Sequence, residues 1–207
     1  MDENKFNTNA PAPQRSLLGK ILNVVLCVFL VIALAFLAVR IIFRPVYVNG
    51  HSMDETLFDG EAVAIGTFDK NVKTGDIVVA NNAQPGEEQN LIIKRVAATG
   101  GDKIVFVLSD GVIEFYRNDW TQPVSETYIK EPMKNISQFA YAGVAPSVEE
   151  IDDYIIELDA DEVFLMGDNR NASTDSRYFG AVKKSAIVGK MVFVISGNSF
   201  LETIFCV

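Results

Sequence analysis

"LIIKRVAATGGDKIVFVLSDGVIEFY", Leu91 to Tyr116, sets three short apolar, β-branched runs between two turn signals, "TGGD" at 99–102 and "SDG" at 109–111. Runs of this length, rich in Val and Ile and cut by Gly and Asp, predict strands. "VLSDGVIEFY" predicts a β-hairpin. The same grammar extends outward in both directions: "PVYV" at 45–48, "EAVAI" at 61–65, "DIVVA" at 76–80, "EVFLM" at 162–166 and "AIVGKMVFVI" at 186–195. "DG" at 59–60, "TG" at 74–75 and "PG" at 85–86 supply further turns. Outside one apolar run there is no helical pattern longer than two turns. The expected class is mainly β: a domain of antiparallel sheets over 45–207, following one N-terminal transmembrane helix. Residues 117–160 read as a polar, irregular, variable insertion. Its acidic end, "VEEIDDYIIELDADE", lacks the spacing of a calcium loop and predicts a solvated face.

The apolar run is Ile21–Val39, 19 residues with no charge and one polar side chain, Asn23; Arg40 and three more apolar residues follow before Arg44 and Pro45. At about 1.5 Å per residue, 21–43 spans roughly 34 Å, enough for a hydrocarbon core of about 30 Å. It is longer than the apolar region of a cleaved secretory signal, and a buried core helix is rarely apolar all round. An uncleaved anchor over 21–43 is the expectation, with Pro45 ending the helix and 1–20 a disordered cytoplasmic tail. Lys5, Arg15 and Lys20 before the run against Arg40 and Arg44 after it favour a cytoplasmic N-terminus and an extracytoplasmic remainder. "VFVISGNSFLETIFCV" is too interrupted for a second span.

The net charge of −9 argues against a nucleic-acid partner. Cys27 lies in the apolar run and Cys206 is next to last, so a disulfide between them is not expected. The single histidine, His51, precedes Ser52. In an extended segment neighbouring side chains point to opposite faces, so His51 would not reach the Ser52 hydroxyl. With no second histidine, a Ser-His-Asp triad, a histidine zinc site and the HExxH arrangement are excluded; no metal or cofactor is expected. A lysine is the alternative base. In "LIIKRVAA", read as a strand, Lys94 shares a face with Ile92, Val96 and Ala98. An apolar face disfavours the ammonium and lowers its pKa. From about 10.4, where about 0.04% is neutral at pH 7, a fall to near 8 would leave about 10% neutral, enough for a general base. The bare pattern also fits a lysine snorkelling from a strand edge.

Four blocks, in order, make the chain resemble the type I signal peptidases, membrane-anchored proteases with a Ser/Lys dyad, in a short Gram-positive-like form. They are "GHSMDETL" at 50–57, "GDIV" at 75–78, "KRVAATGGD" at 94–102 and "GDNRNASTDSR" at 167–177, within roughly 40–200. The resemblance implies the complex β fold of that family. It implies Ser52 as nucleophile, Lys94 as general base, and Ser173 hydrogen-bonded to Lys94 to orient it. It implies Asp175 and Arg177 bracing the last block as an ion pair, with Asp168 and Arg95 doing likewise. Gly50, two before the serine, would let the substrate backbone approach, and the Ser52 N–H would contribute to an oxyanion hole. The plain alternative for Asp168, Asn169, Arg170, Asp175 and Arg177 is loop scaffolding. The implied activity is removal of signal peptides from exported preproteins after small residues in an Ala-x-Ala pattern, the substrate adding as a β-strand. The implied partners are signal peptides, the lipid bilayer and the secretion translocon.

One departure is Glu55, where the family block usually has proline; its loss would remove stiffness from the turn and add a charge. Two other readings stand beside this one. A self-cleaving protease of the LexA-repressor type shares the "SM…GD…K" arrangement, and a membrane-tethered β scaffold with a dead site would share the fold.

Overall fold

The structure, a computed structural model, describes residues 16–68, 71–83, 88–197 and 199–205. The tail over 1–15, the "PG" turn at 85–86 and Cys206 lie outside the described residues. The chain divides into two units, Met1–Ile41 and Ile42–Val207.

The first unit is the apolar helix α1, Leu17–Ile42. Ser16 caps it: its Oγ accepts the Gly19 N–H at 3.2 Å, satisfying one of the free donors of the first turn. The helix therefore starts four residues before the expected Ile21, and 17–20 are helical rather than tail. Leu17 and Leu18 continue the apolar run, and Lys20 carries its charge on a long stem. Its 26 residues, none buried, extend about 39 Å, long enough to cross a membrane.

Phe43, expected to close the helix, instead opens strand β1, Phe43–Tyr47. Pro45 explains the early end, because it disfavours helical backbone at the residue before it. β1 is an edge strand, where the missing N–H of Pro45 is tolerated. All the other expected runs are strands too: β2 Ala62–Gly66, β3 Ile77–Asn81, β4 Leu91–Thr99, β5 Lys103–Ser109 and β6 Val112–Arg117 come first. The two-residue β7 (Ile156–Glu157) and β9 (Val182–Lys183) flank β8 (Glu162–Met166), and β10 is Ile187–Val194. β7 and β9 are too short to show a period of two. The hairpin β5–β6 turns on Asp110 and Gly111, both left-handed at φ 50° and 78°, the backbone of a type I′ turn.

Antiparallel pairing builds a seven-stranded sheet in the order β1-β2-β10-β3-β4-β8-β9 and a three-stranded sheet β6-β5-β7. β4, the longest strand, lies inside the large sheet, with Lys94 opposite Val78 of β3 and Arg95 opposite Met166 of β8. One apolar cluster joins the sheets through Ala98, Phe106, Phe115, Phe164 and Met166. Another holds Met53, Leu57, Val63, Ile65, Val79 and Ile93. The stretch 117–160 is irregular as expected, yet it contributes Met133, Ala142, Ala145, Ile151 and Leu158 to the buried interior. Glu149, Glu150, Asp152 and Asp153 are exposed, the solvated face that their charge predicts. The last helix, α2, Ser199–Phe205, has seven residues, too few to cross a bilayer.

Candidate active site

Ser52 sits in a tight turn between β1 and β2, not in extended backbone. The Asp54 N–H reaches His51 O at 3.3 Å, and the Thr56 and Leu57 N–H groups reach Met53 O at 3.0 and 2.9 Å. Met53 and Leu57 are fully buried, so the residue after Ser52 and the end of its turn are fixed in the core. The reason given for discounting His51 needs correcting, since the segment is not a strand. The outcome is the same: the exposed imidazole Nδ1 lies 3.1 Å from Asp54 Oδ2.

Lys94, 5% exposed on β4, meets Ser52 instead. Its Nζ lies 2.6 Å from Ser52 Oγ and donates to Ile93 O at 3.0 Å. Burial lowers the Lys94 pKa to about 8; Asp175 and Asp168 pull upward and Arg177 adds to the lowering. At pH 8 about half of such amines are neutral, with a lone pair able to accept the serine proton. A cavity of about 200 Å³ opens onto this pair, with Val46, Val79, Ile92 and Ile93 among its walls.

The loop after β8 clips the two halves together. Asn169 donates its N–H to Ser52 O at 3.1 Å and its Nδ2 to His51 O at 3.0 Å. Asp168 accepts Thr56 Oγ1 at 2.6 Å and the fork of Arg95 at 2.8 and 2.6 Å. Asp175 and Arg177, both fully buried, form a second fork at 2.8 and 2.7 Å. Asp175 also accepts the Gly167 N–H at 2.9 Å. These are the two ion pairs that the resemblance implies.

Ser173 departs from expectation. It is fully buried, but its Oγ has no hydrogen-bond partner, and the implied bond to Lys94 is not made. Gly50 has φ 86°, a left-handed conformation, and nothing lies within 4 Å of where a Cβ would be. Glu55 also departs: its φ is 75°, which proline, locked near −65°, cannot adopt. The exchange at this position is therefore a different turn, not the same turn made less stiff.

Sequence reasoning missed the contribution of 117–160. The Arg95 guanidinium lies over the Tyr128 ring at 3.9 Å, the Tyr128 hydroxyl donates to Glu126 Oε1 at 2.6 Å, and Arg170 pairs with Glu126. Glu126 and Tyr128 sit in a stretch with no period. No local sequence signal marks either residue.

Comparison with known proteins bears on this arrangement. The family described as "Signal peptidase, peptidase S26" matches residues 21–196. The chain belongs to the signal peptidase S26 family. Signal peptidase I P of Bacillus subtilis subsp. natto is 32% identical over 178 residues, 83% of this chain and 86% of that protein. Signal peptidase I of Bacillus licheniformis is 32% identical over 173 residues, 81% and 84% of the two chains. Signal peptidase IB of Staphylococcus aureus (strain COL) is 28% identical over 181 residues, 84% and 88%. As a member of S26, the chain is a serine peptidase, a hydrolase of peptide bonds. That membership removes the dead-scaffold reading from first consideration and disfavours the repressor-type one, since the family match includes most of the apolar helix.

Proposed function

We propose that this S26 peptidase is anchored by α1 and removes signal peptides from exported preproteins, with Ser52 as nucleophile and Lys94 as general base. The observation that carries the reading is the 2.6 Å approach of a buried lysine to a serine hydroxyl, with the lysine pKa lowered to about 8. Neutral Lys94 takes the Ser52 proton as Oγ attacks the scissile carbonyl carbon. The oxyanion that forms is met by the Ser52 N–H, which makes no other hydrogen bond among the described residues. Collapse breaks the peptide bond, and the Lys94 ammonium returns the proton to the leaving amine. Water, deprotonated by Lys94, then releases the acyl group.

The substrate reading follows from the cavity and from chain length. An extended peptide laid along the cavity beside Ser52 would place small side chains against Val46, Val79, Ile92 and Ile93, and the open space at Gly50 leaves room for its backbone. This supports cleavage after small residues in the Ala-x-Ala pattern. Ser52 follows Arg44 by eight residues, at most about 28 Å of chain, so the site works close to the membrane surface. The basic residues flanking α1 favour a cytoplasmic N-terminus, with 45–207 as the catalytic domain outside. The bilayer and the secretion translocon are its partners in this scheme.

The test is cleavage of a synthetic signal-peptide substrate by the detergent-solubilised chain, with the cut mapped, alongside Ser52→Ala and Lys94→Ala. Both variants should lose cleavage. Near-normal cleavage by Lys94→Ala would overturn the dyad. A rate profile flat from pH 6 to 10 would count equally against it.

A further inference from the structure

We propose that Tyr128 and Glu126, from the irregular stretch 117–160, are positioning residues for the Lys94 base: they hold Arg95 and Arg170 so that the Asp168 charge stays neutralised by Arg95. The inference rests on the dyad reading above and deepens it.

The contacts form a closed circuit. Arg95 forks onto Asp168 at 2.8 and 2.6 Å and donates to Gly75 O at 2.7 Å. Its guanidinium carbon lies over the Tyr128 ring, 3.9 Å from the ring centre. The Tyr128 hydroxyl, its pKa raised by burial and by Glu126, stays a donor and bonds Glu126 at 2.6 Å. Glu126 takes Arg170, whose Nε donates to Gly167 O at 3.1 Å and whose N–H donates to Asp168 O at 2.9 Å. The side chains of Asp168, Arg170, Glu126 and Arg95 expose only 1%, 3%, 9% and 11% of their surface. Two cations and two carboxylates thus balance in a dry setting, where an unmatched charge would act strongly on its neighbours.

Lys94 is the neighbour that matters. The charged groups acting on it are Asp175, Arg177 and Asp168, all from the 167–177 loop. Asp175 and Arg177 are locked on each other, fully buried. Asp168 is the carboxylate whose partner depends on the 126–128 segment. An arginine fixed by a fork at its edge and a ring on its face has little freedom left. With the ring gone, Arg95 would share itself with water. Asp168 would be less neutralised, and its field would hold the proton on Lys94 more firmly.

The experiment compares the pH dependence of kcat/KM for the full chain in detergent with that of Tyr128→Leu and Tyr128→Phe. Leucine fills space without a π face; phenylalanine keeps the face. We expect the alkaline rise of Tyr128→Leu to move up by about 0.5–1 pH unit, a loss of roughly 3- to 10-fold at pH 7 that is recovered at high pH. Tyr128→Phe, which keeps the face and loses only the bond to Glu126, should move the rise less than Tyr128→Leu does. Arg95→Lys, which keeps the charge but neither forks nor lies flat, should move the rise in the same direction and serves if Tyr128→Leu does not fold. A uniform loss at every pH, or a rise that stays put in both variants, overturns the positioning role. A wild-type profile with no alkaline rise overturns the dyad itself, so the two failures are distinguishable.

Discussion

Thr56 and Asp168, 112 residues apart, are joined by a hydrogen bond of 2.6 Å from the threonine hydroxyl to the carboxylate. Because the same carboxylate holds Arg95, next to Lys94 on β4, one side chain ties the turn of Ser52 to the strand of Lys94. Asp168→Asn leaves Arg95 without its counter-charge, and breaking a buried pair in this way costs about 3–5 kcal/mol. It also removes a carboxylate that raises the Lys94 pKa, so in the folded fraction the alkaline rise should shift below its wild-type position near pH 8. Thr56→Val loses only the hydroxyl bond, about 1.5–3 kcal/mol, and should leave the rise in place. Chemical denaturation and pH–rate profiles of the two variants check this.

Lys94 should weaken the fold that it serves. Its folded pKa of about 8 lies below the ordinary 10.5, so the folded state disfavours the charged form. The penalty, about 3 kcal/mol, is fully present below pH 8, fades as pH rises, and is gone above 10.5. Lys94→Met should therefore be more stable than the wild type at pH 7, with the gap closing between pH 8 and 10.5. A gap that does not change with pH would mean that the lysine is charged where it lies.

Much of this was legible beforehand, for identifiable reasons. The β-branched runs carry a local signal, and every run read as a strand is one. Asp110–Gly111 makes the hairpin that its "DG" announces. The Lys94 face and the four blocks pointed to Ser52 and Lys94, which lie 2.6 Å apart, and to the pairs Arg95–Asp168 and Arg177–Asp175, both of which are made. What escaped has no local signature. Glu55 is not a residue type that favours left-handed backbone, so nothing in "MDETL" announces φ 75°. Tyr128 and Glu126 act through contacts with Arg95 and Arg170, which lie 33 and 44 residues away along the chain. The buried Ser173 hydroxyl matches the block yet lacks the bond that the block implies.

That turn makes a sharp prediction for Glu55. A non-glycine residue in left-handed backbone costs about 1–2 kcal/mol. Glu55→Gly should raise stability by about 1 kcal/mol and keep activity. Glu55→Pro, which restores the residue usual in the family, should do harm, because φ 75° lies far from the range that its ring allows. A loss of stability of about 3 kcal/mol, together with reduced cleavage, is expected. A Glu55→Pro variant more stable and more active than the wild type would show that this turn adopts the proline-compatible backbone.

Ser173→Ala separates packing from chemistry. The hydroxyl has no partner to lose, so the change should leave Tm unchanged or slightly raised. If the hydroxyl turns to the Lys94 ammonium once a proton has been taken, kcat/KM should still fall about tenfold or more. Full activity in a stable Ser173→Ala would remove Ser173 from the machinery.

Gly167 gives the most stringent geometric test, because the space that it leaves is occupied by the backbone of Ser52. A Cβ built there would meet Ser173 Oγ at 2.2 Å and Ser52 O at 2.3 Å. Both are closer than any real contact, and Ser52 O cannot swing aside as a side-chain tip can. It is fixed by the Asn169 N–H at 3.1 Å and by the buried Met53 that follows it. Gly167→Ala must therefore push the 52 carbonyl, and with it the Ser52 Oγ that lies 2.6 Å from Lys94. A displacement of about 1 Å at a reacting group can lower the rate about 100-fold. We expect a loss of that order in kcat with the fold retained, read by steady-state cleavage and thermal melting. Adding Ser173→Ala to Gly167→Ala removes the Oγ clash but leaves those with the Ser173 Cβ and the Ser52 carbonyl, so the double variant should recover part of the stability and not the rate. Full recovery of stability, with a rate equal to that of Ser173→Ala alone, would mean that the Ser173 hydroxyl, and not the Ser52 carbonyl, is what requires glycine here.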